Sequence, residues 1–349
     1  MIVTIARTLR AWLSPAIDAL FARNLPFSYR WRLLALQPIS LLAYSIASLP
    51  WLFSRTFRAE YLPISPNRTL RVLVFDPPQS KKQNTLRPLH LDVHGGAFIG
   101  GLPEANAHFC ARLARDTGAI VFSTTYRFAP VHPFPAAIDD VDAVLAYLRA
   151  HAVEKYGADP NLVTVSGDSA GGNLALAASL SAPRGVVKAS VTFYAAVNLQ
   201  LKPWEKPQGL PPPVGSVAPK PVKDPMTFLL PLFDSYAGPA REREMRNPRM
   251  SPFLWQVEDL PRDMLLVVPT IDILVKEQLE FVVRLKGELE ACMEGEDRRV
   301  EALYVEKGFH GYLGVPSPVV PQEIKDEAWN AGVKFIRDAH RKNGWRWDF

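Results

Sequence analysis

The strongest constraint on this chain is an alternation of two periodicities. Seven short runs of strand character recur along it: Arg71 to Phe75, Leu89 to Val93, Ala119 to Ser123, Leu162 to Val165, Val187 to Phe193, Met264 to Val268 and Val300 to Val305. Between most of them apolar residues return at helical spacing, as in Leu102, Ala105, Phe109 and Leu113, in Ile138, Val141, Leu145 and Leu148, and in Val282, Leu285 and Leu289. This alternation predicts an α/β fold, a mostly parallel central sheet covered by helices on both faces. Sites in such sheets form beyond the carboxyl ends of the strands. The 349 residues suffice for about two domains, or for one α/β domain with an inserted cap. With 48% hydrophobic and 21% charged residues, disorder is excluded and a sizeable core is available.

The net charge of +5 is concentrated at one end. Residues 1–60 hold Arg7, Arg10, Arg23, Arg30, Arg32, Arg55 and Arg58 against Asp18 and Glu60, which leaves 33 basic and 33 acidic side chains for residues 61–349. A neutral main body has no electrostatic reason to bind nucleic acid. The expected division is a basic, apolar helical segment over 1–60 and a main domain over 61–349.

Leu33 to Phe53 is a run of 21 uncharged residues, about the length that spans a bilayer, with arginines on both flanks. Gln37, Pro38, Ser40, Ser45, Ser48 and Pro50 interrupt it. Three readings stand: helices packed as a cap over the body, a spanning anchor, and an interfacial anchor on a membrane surface. The flanking arginines leave orientation open. Arg7 and Arg10 break the first apolar stretch, which argues against a cleaved signal peptide. The expected location is cytoplasmic or membrane-associated, an endoplasmic-reticulum-like anchor included. Asn67-Arg68-Thr69 would accept a glycan only in a lumen. Cys110 and Cys292 are too few for a disulfide framework or a cysteine-built zinc site.

Residues 203–225 break the rhythm with eight prolines: Pro203, Pro207, Pro211, Pro212, Pro213, Pro219, Pro221 and Pro225. That density is incompatible with a helix or a central strand. A long loop is predicted, either a surface linker or a lid or pocket rim, the insertion covering about 200–260.

Chemistry concentrates between the strand-like Leu162 to Ser166 and a small-residue helix over Gly171 to Leu180. There the chain reads Gly167-Asp168-Ser169-Ala170-Gly171, a G-x-S-x-G pattern at a strand-to-helix turn. Glycines flank such a turn because side chains there would meet neighbouring backbone, and the turn lifts the Ser169 hydroxyl out of the sheet. A serine nucleophile needs a histidine base and a carboxylate to orient it. Of seven histidines, His310 follows the Val300 to Val305 strand directly, in Gly308-Phe309-His310-Gly311-Tyr312. Asp259 and Asp263 precede their strand and Asp297 precedes the next, whereas Asp272 follows the Met264 to Val268 strand and so shares the edge of Ser169 and His310. Glu277 is the alternative carboxylate. His94-Gly95-Gly96-Ala97 follows Leu89 to Val93, so the amides of Gly95 and Gly96, with that of Ala170, are candidate donors to an oxyanion. A rival reading takes His90, Asp92 and His94, which alternate along one strand, as metal ligands. No second cluster completes such a site, and the serine chemistry requires neither a metal nor an organic cofactor.

These residues resemble the hormone-sensitive-lipase-like branch of the α/β-hydrolases, which includes microbial esterases, arylacetamide deacetylases and plant carboxylesterases. The resemblance rests on the His94 block, on Gly167 to Asn173, on Tyr126-Arg127-Phe128-Ala129-Pro130 with His132-Pro133-Phe134-Pro135, on Asp272 with Leu274, and on Phe309-His310-Gly311. It spans about residues 70–340, and the order Ser, Asp, His is that of the fold. It implies a serine esterase acylated on Ser169, with His310 as base, Asp272 orienting it, and Gly95, Gly96 and Ala170 holding the oxyanion; His94, Asp168, Gly167 and Gly171 complete the motifs. Ala97 stands where the family usually has a third glycine, which keeps the amide and alters pocket shape. Val131 replaces a common glutamate. Family members carry an N-terminal cap, and the deacetylases are anchored through that end.

The resulting expectation is hydrolysis of a small to medium carboxylic ester by an acyl-serine route. Non-hydrolytic acyl transfer or elimination on the same scaffold, and a ligand-binding receptor like the plant gibberellin receptors, are the alternatives. Trp12, Trp31, Trp51 and Phe53, with Phe228, Leu229, Leu230 and Phe233, point to an apolar acyl or alcohol group. The oligomeric state is open.

Overall fold

The computed structural model describes residues 9–53, 55–79, 85–206, 227–291 and 297–347. Eight strands form one sheet: β1 (Arg58–Ser65), β2 (Arg68–Phe75), β3 (Arg87–Val93), β4 (Ile120–Thr124), β5 (Ala158–Asp168), β6 (Val187–Phe193), β7 (Asp263–Pro269) and β8 (Arg299–Val305). Their spatial order is β1-β2-β4-β3-β5-β6-β7-β8. β1 pairs antiparallel with β2, and β2 with β4, whereas every pairing from β4 to β8 is parallel. β1 was not among the expected strands. Its sequence lacks clean alternation and carries Pro63, which an edge strand tolerates, and the register slips beside it.

The helices are α1 (Ser14–Phe21), α2 (Phe27–Ser48), α3 (Ala107–Thr117), α4 (Ala136–Ala150), α5 (Ala170–Ser179), α6 (Val275–Ala291) and α7 (Gln322–Lys342), with several shorter turns. Because strand side chains alternate, the sheet feeds a core on each face. Val72, Val74, Leu89, Leu91 and Val93 pack with Ile138, Val141 and Leu145 of α4 and Leu174 of α5. Leu73, Phe75, Val121 and Val191 pack on the other side with Phe109 and Leu113 of α3 and Ile336 of α7. A further cluster joins Leu266 and Val268 of β7 to Phe281 and Leu285 of α6.

The uncharged run from Leu33 does not form one element. α2 begins earlier, at Phe27, runs through Pro38 and ends at Ser48, after which Pro50–Phe53 forms a separate turn of helix. Among the described residues no helix is long and apolar enough to cross a membrane. α1 and α2 form a hairpin whose joints are polar. Gln37 accepts the Ala16 N–H and donates to Trp12 O, both at 2.9 Å, while Arg30 donates to Ala19 O, Ala22 O and Leu25 O at the end of α1. A cation there suits the helix's negative pole. Leu33 and Leu36 join the core, Arg32 Nε donates to Phe228 O at 2.7 Å, and Trp31 stacks on Phe228. Most of the proline-rich stretch, residues 207–226, and Cys292 lie outside the described residues.

Candidate active site

The four parallel strands β5 to β8 lie side by side, so the residues that follow β5, β7 and β8 emerge at one edge, and the loop after β3 joins them there. Ser169 sits at the turn from β5 into α5 with φ +50° and ψ −119°, a conformation costly for a residue bearing a Cβ. Its surroundings admit no bulk: a Cβ at Gly167 would come within 2.4 Å of Gly171 O, and one at Gly171 within 2.0 Å of Val93 O. The turn therefore closes only with glycine at both positions.

Ser169 Oγ lies 2.8 Å from His310 Nε2, and His310 Nδ1 lies 2.9 Å from Asp272 Oδ1. Asp272 is buried to 1% exposure, its Oδ1 also accepts the Leu274 N–H at 2.9 Å, and its Oδ2 faces Gln278 Nε2 at 3.5 Å. A carboxylate so placed fixes the imidazole with the proton on Nδ1 and the acceptor Nε2 toward the hydroxyl. Glu277 is engaged elsewhere: its carboxylate pairs with Lys206 at 2.6 Å and accepts the Asn198 N–H at 3.2 Å.

The loop after β3 differs in detail from expectation. The Gly95 N–H donates to Asp168 Oδ1 at 2.7 Å, so that amide is already committed to a side chain. Among the described residues, no acceptor engages the amides of Gly96 and Ala97. Ala97 adopts φ +53°, the left-handed region in which glycine is the easier occupant. His94 serves the loop rather than a metal: Nδ1 lies 2.7 Å from Gly95 O and the ring stacks on Tyr126, while burial pulls its pKa down to about 4 and keeps it neutral. His90 and Asp92 are likewise hydrogen-bonded, to Thr164, Ser166, Ser123 and Asn106.

This edge geometry has counterparts. The profile of the alpha/beta hydrolase fold matches residues 90–314. The chain belongs to that family. Arylacetamide deacetylase of Oryctolagus cuniculus is 44% identical over 100 residues, 28% of this chain and 25% of that protein. Carboxylesterase NlhH of Mycobacterium tuberculosis is 46% identical over 92 residues, 25% of this chain and 27% of that protein. The match thus spans about a quarter of these relatives' own length. Solved structures align far more fully. EstE1, a thermostable carboxylesterase cloned from a metagenomic library, superposes with TM-score 0.66 at 25% identity over 87% of this chain and 97% of its own. The hyperthermophilic esterase of Pyrobaculum calidifontis gives 0.65 at 25% identity over 87% and 91%.

Within this α/β-hydrolase frame the structure adds contacts that sequence reasoning passed over. Tyr194, at φ +40° after β6, sets its ring edge-on to His310 at 5.2 Å, and Asn173 ties α5 to Ala196 O and Met250 O. Tyr194 carries no local signal beyond its position after a strand; Asn173 closes the Gly167 to Asn173 motif, but its bonds to Ala196 and Met250 leave no local mark. The aromatic residues considered for the acyl pocket divide. Trp12 contacts Tyr44 and Trp31 contacts Phe228 in the N-terminal hairpin, whereas Trp51 is buried on the α3 and α7 side against Phe57 and His108.

Proposed function

We propose that this chain is a serine esterase that cleaves a small to medium carboxylic ester through an acyl-serine intermediate. The observation that carries the reading is the continuous relay from Ser169 through His310 to Asp272 beside a loop with unengaged amides. His310 Nε2 takes the hydroxyl proton as Ser169 Oγ attacks the ester carbonyl, and the amides of Gly96, Ala97 and Ala170 receive the developing oxyanion. His310 then protonates the departing alcohol; water, activated by the same imidazole, releases the acid and restores Ser169. Asp272 holds the ring and stabilises its cation. The test is turnover of p-nitrophenyl acetate, butyrate and octanoate by the purified chain beside Ser169→Ala, with the products analysed. Turnover lowered by about 10⁴- to 10⁶-fold in the variant is expected. A wild type that neither hydrolyses these esters nor reacts with a fluorophosphonate at Ser169 would move the assignment to a receptor.

We further infer that the enzyme works at a lipid surface, lying on it through α2. The outward face of this helix carries Phe27, Trp31, Leu34, Ile39, Leu42 and Ile46, all 37–78% exposed, and Leu20 and Phe21 of α1 extend it. A row of large apolar side chains on the outward face, beyond those the helix buries in the core, suits an apolar surface better than water. Arg10 and Arg23 are exposed in the N-terminal segment that carries this face, and Asp18 is the sole acid between residues 9 and 57, so an anionic lipid surface is the complementary partner. Co-sedimentation with phosphatidylserine vesicles tests this. Binding should fall at least about tenfold in Phe27→Glu/Leu42→Glu with hydrolysis of soluble p-nitrophenyl acetate retained. A chain that stays in solution as a dimer, split by the same substitutions, would assign the face to a second copy instead.

A further inference from the structure

Below the proposed active site, buried polar side chains run along β3 and β5 on the side covered by α3 and α7. The parallel register sets Asp92 opposite both Ser123 and Ser166, and His90 opposite Thr164. All five are buried at 0% exposure. A carboxylate survives in such a place only when its oxygens are satisfied. Asp92 Oδ1 accepts from Ser166 Oγ at 2.7 Å, and Oδ2 accepts from Ser123 Oγ at 2.9 Å and from Asn106 Nδ2 at 3.1 Å. Because Ser166 gives its proton to Asp92, its oxygen accepts from His90 Nε2 at 2.8 Å. His90 Nδ1 then accepts from Thr164 Oγ1 at 2.8 Å, and Thr164 faces His340 Nε2 at 3.4 Å. Every donor in the chain points toward Asp92, and burial keeps both histidines neutral.

Asn106 carries this order to the active site. The same amide nitrogen that donates to Asp92 donates to Asp168 Oδ1 at 2.9 Å, and that oxygen also accepts the Gly95 N–H at 2.7 Å. The approach is close enough that a Cβ on Gly95 would come within 2.4 Å of Asp168 Oδ2. Asp92 therefore lies three hydrogen bonds, through Asn106 and Asp168, from the peptide that sets the direction of the next two amides, those of Gly96 and Ala97. The esterase chemistry has no other use for it.

We propose that Asp92 is a positioning residue for the oxyanion loop, acting through Asn106 on Asp168 and through Asp168 on the Gly95 amide. The inference rests on the esterase reading of Ser169. It makes catalysis depend on the charge of Asp92, because a protonated carboxyl accepts the Asn106 N–H more weakly than a carboxylate does. Burial, reinforced by Asp168, raises Asp92 to about 6, and Asp168 is raised as well. The groups facing Asp92 are His90 through Ser166, Asp168 from β5 and Cys110 from α3, and none of these three is cationic.

The test is kcat and KM for p-nitrophenyl butyrate from about pH 4.5 to about pH 8. In the wild type the acid limb of kcat should include the proton that Asp92 takes up at about 6. In Asp92→Asn, kcat should fall about 10- to 100-fold with KM within about twofold, and the acid limb should lose the Asp92 proton. Asn106→Ala, which cuts the link and leaves Asp92 in place, should lose kcat to a similar degree, and it decides the matter if Asp92→Asn does not fold. Wild-type kcat in folded Asp92→Asn with an unchanged limb, or wild-type kcat in Asn106→Ala, overturns the proposal while leaving the esterase reading intact. A wild type without turnover or fluorophosphonate labelling overturns that reading and this one with it.

Discussion

Tyr44 Oη accepts the backbone N–H of Gly101 at 3.0 Å, joining the N-terminal hairpin to the loop that continues from His94 to Ala97. The residues are 57 positions apart, and the hydroxyl lies 2.8 Å from where a Cβ of Gly100 would stand. The N-terminal hairpin is thereby tied to the loop that leads on from the proposed oxyanion amides. Tyr44→Phe leaves a half-buried N–H without its acceptor and should lower stability by about 1 kcal/mol in urea denaturation. Activity at saturating ester should fall with it, since the freed peptide belongs to the oxyanion loop.

Asp272 and Glu277 make a paired prediction. Asp272→Asn keeps the shape but favours the wrong imidazole tautomer, so kcat should drop by about 10⁴-fold with KM little changed. Glu277→Gln loses the Lys206 pair and not a contact to His310, so kcat should change by less than about tenfold. Steady-state kinetics on one chromogenic ester read both.

Gly171 tests the turn. A Cβ there meets Val93 O and His94 O, backbone atoms that cannot swing aside. Gly171→Ala is expected to cost about 3 kcal/mol or more and to reduce soluble yield, measured by denaturation and by recovery of folded protein.

Buried histidines set the direction of acid sensitivity. Burial holds His340 at about 3 against an ordinary 6.5, so below 6.5 the unfolded chain binds the proton that the folded chain refuses. The stability this contributes is complete above pH 6.5 and is lost as pH falls toward 3. Asp92 acts in the opposite sense, since its carboxyl keeps a proton up to about 6 and contributes stability that is lost as pH rises through that value. His340→Gln can still donate to Thr164 and does not titrate. Compared by urea denaturation at about pH 7.5 and about pH 4.5, the variant should lose about 2 kcal/mol less than the wild type on acidification.

The alternation of strand and helix, and the positions of Ser169, Asp272 and His310 directly after three strands, could be read from local order, because chain direction alone sends each to the same edge of a parallel sheet. The glycines around Ser169 were legible for a related reason: a tight turn leaves a local mark. Partner choice over long distances leaves none. The structure alone shows that the Gly95 amide is held by Asp168, that His90 and Asp92 lie in a hydrogen-bonded chain ending near the oxyanion loop, and that Gln37 joins two helices instead of interrupting one. β1 escaped for want of alternation, since an edge strand with Pro63 is held by its register with β2 more than by its own pattern. Sequence determines which groups stand at the end of each element; only packing brings donor to acceptor across the sheet and decides which of them are free to act.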